Sequence, residues 1–360
     1  MSLFDVLGYS MKSEKILFVG NTNQLNRPFL DPSTRYRCFN IAYALKKKGH
    51  MTEVITLKYF LENMGIANRY DHIVFHRPFL DNEKFFNFLH KNNQKKNLIA
   101  DYDDLIFDVR NILNLPEITN RDPYLKGMSP YVAKNAAACR FFKKFSVSTT
   151  ALAEKVSTIF PDAYVSVISN SLENEYISLS KKLFSLNRPR KYKLGYFPGT
   201  ASHNNDFNEI SEYIAKYLKA GKDNNLFILG PLTIPASLTP YQHRIDHIKE
   251  LVPFNHLPYI KANVETILAP LSINAFNVCK SGLKFFEAMP LGCQVIATAI
   301  PDIDRFDSSY LEKCYQKEDW EKLLNHKKID RSKYQEELAN TLAEVDADNV
   351  AKKWEESFLV

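Results

Sequence analysis

Two groups of residues in this 360-residue chain have the types and spacing to do chemistry. The first is Asp101-Tyr102-Asp103-Asp104, three carboxylates at the end of an apolar run, with His76 and Arg77 closing another apolar run upstream. Carboxylates gathered this way suit a metal ion or the hydroxyls of a substrate, and a nearby His suits proton transfer. A solvated turn with an Asx cap, and a His that only caps a strand, are the plainer alternatives. The second group is Lys280, Ser281, Lys284 and Glu287, within NVCKSGLKFFEAMPLGCQVIATAIP at 277–301. Leu283, Phe286 and Met289 recur at helical spacing, which predicts a helix over 282–289. Lys280, Lys284 and Glu287 then lie four and three apart and share one face near its N-terminal end, where backbone N–H groups also favour anions. Two cations and a carboxylate there suit a ligand carrying negative charge and hydroxyls, such as a nucleoside diphosphate. A solvated face laced with i,i+4 pairs is the alternative.

Both groups need rigid strand ends to hold them. Lys15–Gly20 (KILFVG) reads as a buried strand opening a doubly wound α/β domain. A polar stretch, 21–32, follows it in place of G-x-G-x-x-G, which argues against a nicotinamide dinucleotide. Ser33 is the expected N-cap of a helix over 34–48 that turns Cys38, Ile41, Ala42 and Leu45 inward and ends in lysines before Gly49. Further strands are expected at Thr52–Leu57, Asp71–Phe75, Asn97–Ala100, Phe145–Thr150 and Tyr164–Ile168. His76, Arg77 and the Asp run thus fall just past carboxyl ends of strands, where such sheets bind ligands. Residues 173–192 lose periodicity and gain charge, which predicts a linker. A second α/β series begins at Lys193–Phe197 and returns at Leu226–Gly230. Ile245–Glu250 reads as helix, Val252–Phe254 and Thr266–Leu268 as short strands, and 317–360 as a charged helical end. The expected organisation is a domain over 1–172, the linker 173–192, a domain over 193–342 and a C-terminal helix over 343–360.

Composition bounds the partners. Hydrophobic residues make up 45% and charged residues 24%, ordinary for a globular protein, and the length suits about two domains. A net charge of +6 suits a phosphate-bearing substrate or an anionic membrane surface and is far from demanding nucleic acid. The basic, aromatic run 140–145 is read either as a membrane contact or as a helix end with snorkelling lysines. Five cysteines without CxxC or Cys/His spacing read as reduced thiols of a cytoplasmic protein, not as a zinc site. No apolar run is long enough to span a bilayer, and the N-terminal stretch does not read as a signal peptide.

Three segments resemble GT-B glycosyltransferases, closest to the large family 4 type. One is Ser33-Thr34-Arg35-Tyr36-Arg37 with the helix that runs on to Gly49-His50. Another is Gly195-Tyr196-Phe197-Pro198-Gly199-Thr200 with His203 and Asp206. The third, Lys280-Ser281…Lys284…Glu287-Ala288…Gly292…Val295-Ile296-Ala297, is similar to the family's donor-binding signature. The resemblance implies two Rossmann-like domains facing across a cleft, with the C-terminal helix crossing back to the first. It implies a metal-independent transferase without a cofactor, moving a sugar from a nucleotide-sugar donor to a saccharide or lipid-linked acceptor on the cytoplasmic face of a membrane, in surface-polysaccharide synthesis. An epimerase of the same fold and a catalytically silent scaffold are the alternatives. Glu287 would take the ribose hydroxyls, and Lys284 with Lys280 and Ser281 the diphosphate. Gly199 and Thr200 would meet phosphate through backbone N–H groups, with His203 nearby. Pro231, Phe254 and Leu257 would flank the base. Arg35, Arg37 and Arg77 would line the acceptor side, with His76, Asp103 or Asp104 as base if the reaction inverts. The family's E-x7-E carries a sugar-contacting Glu eight residues before the ribose Glu; here that position is Cys279. The resemblance therefore carries nucleotide binding further than sugar contact or stereochemistry.

Overall fold

A computed structural model describes residues 13–119, 125–325 and 331–359. Two parallel six-stranded sheets organise the chain. The first contains β1 (Lys15–Gly20), β2 (Met51–Thr56), β3 (His72–His76), β4 (Asn97–Tyr102), β5 (Lys144–Val147) and β6 (Tyr164–Val167), in the order β2-β1-β3-β4-β5-β6. The second contains β7 (Tyr192–Tyr196), β8 (Leu226–Leu229), β9 (Ile245–Ile248), β10 (Val264–Ala269), β11 (Gln294–Thr298) and β12 (Leu311–Cys314), in the order β12-β11-β10-β7-β8-β9. In each the chain winds outward to one side and then crosses back over its first strand. The reversals lie between β1 and β3 and between β7 and β10, and loops leaving the carboxyl ends there frame a crevice.

The near-continuous apolar runs follow from burial on both faces. In β1, Leu17 and Val19 enter one core, while Ile16 and Phe18 enter the core on the opposite face. In β11, Val295 and Ala297 pack on one side and Ile296 on the other. The C-terminal helix Ala347–Phe358 returns to the first sheet, as expected, and seats Trp354 and Phe358 beside Phe18 and Leu45. Burying a phenylalanine like Phe358 stabilises by roughly 1.5–3 kcal/mol. The two crossings between the halves run side by side: Leu172 donates to Val345 O (2.7 Å), and Ala347 donates to Leu172 O (3.0 Å). No helix among the described residues is long and apolar enough to cross a membrane.

Several local expectations are corrected. Ile245–Glu250 was expected as helix, but Ile245–Ile248 is the edge strand β9 on β8; its alternating burial is a two-residue period too short to separate from a helical one. Val252–Phe254 is not a strand. Pro253 cannot donate to a ladder, and the chain turns there into the helix Leu257–Lys261. The stretch 173–192 holds a twelve-residue helix, Asn174–Ser185, which buries Tyr176 and Ile177. In the run 140–145, Phe142 and Phe145 are core while Arg140 and Lys143 are exposed, which is the snorkelling arrangement.

Candidate functional site

The first helix begins two residues earlier than expected. Asp31, not Ser33, caps it by accepting from Thr34 N (3.0 Å), and a π turn, Arg35–Phe39, interrupts it before Asn40–Lys47. Ser33 is thereby released for other work. Its hydroxyl lies 2.7 Å from His76 Nε2 and 2.5 Å from Asp103 Oδ2. His76, at the end of β3, is buried, and its Nδ1 lies 2.8 Å from Asp101 Oδ2. Arg37 is fully buried, reaching Asp101 (2.5 Å), Ser146 (3.1 Å) and Ile168 O. It pins β4 to its neighbours and presents nothing to the crevice. Burial opposes ionisation of Asp101, but the Arg37 charge and hydrogen bonds from His76 and Arg37 hold its carboxyl below the ordinary range.

Arg77 follows β3 in a left-handed conformation, φ 51°, an uncommon and strained state outside glycine. That turn aims its guanidinium at both remaining carboxylates: Nε at Asp103 Oδ1 and Nη2 at Asp104 Oδ2, each 2.7 Å. Asp103 is held well below the usual carboxylate range, with burial opposed by Arg77, His76 and the Ser33 hydroxyl. Lys280 reaches across from the other half of the chain and donates to Asp104 Oδ1 at 2.8 Å. A continuous polar chain therefore runs from Asp101 through His76, Ser33, Asp103, Arg77 and Asp104 to Lys280. Among the described residues, no group of three or more His, Cys, Asp and Glu is arranged to hold a metal ion.

On the second half, the predicted helix is shorter, Leu283–Ala288, and Lys280 lies before it in extended backbone. The charges of Lys280 and Lys284 are nonetheless both felt at His203, which pairs with Asp206. His203 Nδ1 lies 2.9 Å from Asp206 Oδ2, and Asp206 Oδ1 accepts from Ser272 N at 2.8 Å. Burial and the neighbouring lysines push the His203 imidazole down, against the pull of Asp206. Lys284 falls to about 8, chiefly through burial, with Asp206 opposing. The amide of Gly282 donates to Asp302 Oδ2 (2.6 Å), a cap the sequence reading missed. Gly199 and Thr200 are exposed beside this cluster's strand β7. Gly230, at φ 129°, lets this loop pack closely, since a Cβ there would stand 1.9 Å from Pro198 O. Pro231, half-buried, follows it.

Glu287 is buried rather than open. Its Oε2 accepts from Lys261 (2.5 Å), its Oε1 from the Tyr36 hydroxyl of the first half, and its backbone carbonyl from Tyr176. Half-buried Phe254 stacks on Tyr176 and on the Arg35 guanidinium, 3.9 Å from its ring centroid, while Leu257 packs against the same core. Lys261 and Tyr36 were not among the expected site residues; a lone lysine inside the apolar run 257–262 is the signal that marks the former. Cys279 is buried in the first half's core, and Thr149 Oγ1 donates to its carbonyl (3.0 Å).

No protein-family model and no curated protein sequence matches the chain. Solved structures do. Anabaena HepE, crystallised with UDP and glucose, superposes with a TM-score of 0.57 at 14% identity over 95% of this chain and 98% of its own. A glycosyltransferase from Rickettsia africae gives 0.63 at 11% identity over 96% and 98%. WaaG, a glycosyltransferase involved in lipopolysaccharide biosynthesis, gives 0.60 at 12% identity over 95% and 99%. Likeness at such identities is one of architecture: the chain has the two-domain GT-B fold.

Proposed function

We propose that the chain is a glycosyltransferase that moves a sugar from a nucleotide-sugar donor to a saccharide or lipid-linked saccharide acceptor, in synthesis of a surface polysaccharide. The observation that carries this reading is the meeting, between the ends of two doubly wound sheets, of Lys280 from one half with Asp104 from the other, where Arg77 ties Asp104 to Asp103. A leaving nucleoside diphosphate develops charge that fixed cations stabilise, and a carboxylate opposite can orient or deprotonate an acceptor hydroxyl. In this reading Lys280, Lys284, Ser281, His203 and the backbone of Gly199 and Thr200 hold the diphosphate, and Glu287 the ribose, with Phe254, Leu257 and Pro231 around the base. Asp103 and Asp104 face the acceptor. His76 is a positioning residue, acting on Asp103 through Ser33. Arg35 and Arg37 lose their acceptor-side role, since both are buried.

A cavity of about 470 Å³, lined by Asn21, Thr22, Lys58, Asp81, Asn82 and Lys84, supports the acceptor side, because Asn21 also donates to Arg77 O (3.1 Å). Exposed Leu25, Phe29, Leu30 and Tyr43, with Arg27 and Lys46–Lys48 on the same half, suit the cytoplasmic surface of an anionic membrane carrying a lipid-linked acceptor.

The test is nucleoside diphosphate release from a panel of nucleotide sugars, with and without saccharide acceptors. Acceptor-dependent release is expected. Free sugar without acceptor would indicate an epimerase, and no release with any donor would leave a scaffold. Saturation at about 100 times the dissociation constant should stabilise the fold by roughly 2.7 kcal/mol. Lys284→Ala should remove that shift.

A further inference from the structure

We propose that Arg35 and Tyr36 form a plug that imitates a nucleoside on the second domain, so that a nucleotide donor enters only when this turn of the first domain withdraws. The inference rests on the reading of Phe254 and Glu287 as base and ribose contacts. Arg35 and Tyr36 are consecutive residues of the π turn, a helix insertion common at functional positions. The Tyr36 hydroxyl donates to the Glu287 carboxylate, as a ribose hydroxyl would. The flat Arg35 guanidinium lies on the Phe254 ring, as a base would, with the Phe29 ring also near it at 4.9 Å. One turn thus supplies both halves of a nucleoside, a planar stacking group and a hydroxyl, to the two residues that would read them.

The chemistry of Arg35 separates this from ordinary core packing. Arg35 is 1% exposed, yet none of its three guanidine nitrogens makes a hydrogen bond to any described residue. Two positions along the same turn, Arg37 is equally buried but donates to a carboxylate, a hydroxyl and a backbone carbonyl. Arg37 is pinned in place. Arg35 keeps two aromatic contacts and the nearby charges of Glu173, Glu287 and Asp31, which recover part of what burying a cation without hydrogen bonds costs. Withdrawal into water returns hydrogen bonds to the guanidinium and frees Glu287 Oε1 together. The plug is therefore specific in geometry and loaded toward opening.

Competition of this kind lowers apparent affinity by the fraction of open molecules. The experiment is calorimetric titration of the full chain with UDP and with GDP, in wild type, Tyr36→Phe, Arg35→Met and Glu287→Gln. Tyr36→Phe loses the hydroxyl and Arg35→Met the cation while each keeps most of the side chain's bulk. If the plugged form outnumbers the open one by about ten to one, each plug variant should bind up to about tenfold tighter. Arg35→Met should also melt no lower than wild type, because it removes a buried cation that makes no hydrogen bond and for which burial outweighs the neighbouring carboxylates. Unchanged or weaker binding in both plug variants, with Glu287→Gln weakened, overturns the plug and leaves the nucleotide site standing. Binding in Glu287→Gln equal to wild type, or no binding of either nucleotide in any of the four proteins, overturns the ribose reading and the plug with it.

Discussion

Lys280 Nζ stands 2.8 Å from Asp104 Oδ1, and Arg77 Nη2 stands 2.7 Å from the other oxygen of the same carboxylate. One carboxylate is thus shared by a cation from each half of the chain. Both members of the Lys280 pair are partly open to solvent, at 23% and 20% of side-chain surface. An ion pair so exposed contributes about 1 kcal/mol at most, because water screens it. Lys280 is therefore a weak strut for the fold. A charge-assisted hydrogen bond to a phosphate is worth more, about 1.5–3 kcal/mol.

Replacing Lys280 should consequently separate stability from binding. Lys280→Ala is expected to leave the melting temperature within a few degrees of wild type, about what 1 kcal/mol moves in a chain of this size. Its dissociation constant for UDP or GDP, measured by calorimetry, should rise about tenfold or more. An unchanged constant would remove Lys280 from the nucleotide site.

Gly199 gives a second separation. A Cβ built there meets no atom within 4 Å, and its backbone does not need the left-handed region. Gly199→Ala should fold normally, and it should gain about 0.4–1 kcal/mol from a less flexible unfolded chain. If its amide meets a phosphate at close range, the added methyl obstructs the approach, and nucleotide affinity should fall while the melting temperature does not. Full affinity in the folded variant would remove Gly199 from the site. Gly230 is the contrasting case, required by the protein's own backbone at Pro198.

The architecture was legible because apolar runs such as KILFVG and QVIAT carry their meaning locally: strands buried on both faces need no partner to be recognised. The ligand-binding edge followed from the same runs, since His76, Arg77 and Asp101–Asp104 had to fall at strand ends. Partner choice was not legible. Ser33 looks like a cap, but Asp31 takes the cap and Ser33 goes to His76 and Asp103, a decision made by a strand 43 residues away. Lys280 fitted the helix by spacing, yet Gly282 and the Asp302 carboxylate start that helix two residues later. Tyr36 and Glu287 lie 251 residues apart, and their contact exists only once the two halves meet.

Lys284 sets a pH test in which binding and stability move in opposite directions. Burial is the largest influence on its amine, lowering it from 10.5 to about 8; Lys280 and Lys261 add to the fall, and Asp206 and Glu287 oppose it. Between those two values the unfolded chain holds a proton that the folded chain has released. The unfolded state then binds more protons, so this group makes stability rise with pH across that window. Phosphate binding needs the ammonium form, so affinity for UDP or GDP should fall as pH passes about 8, by at most tenfold per pH unit for one proton. Other groups titrate nearby, and Lys284→Met isolates the effect by removing both trends at once. Calorimetric titrations and chemical denaturation of both proteins from about pH 7 to about pH 9.5 read the difference. Parallel affinity profiles for wild type and Lys284→Met would show that the proton governing binding sits on another group, and Lys284 would then leave the phosphate site.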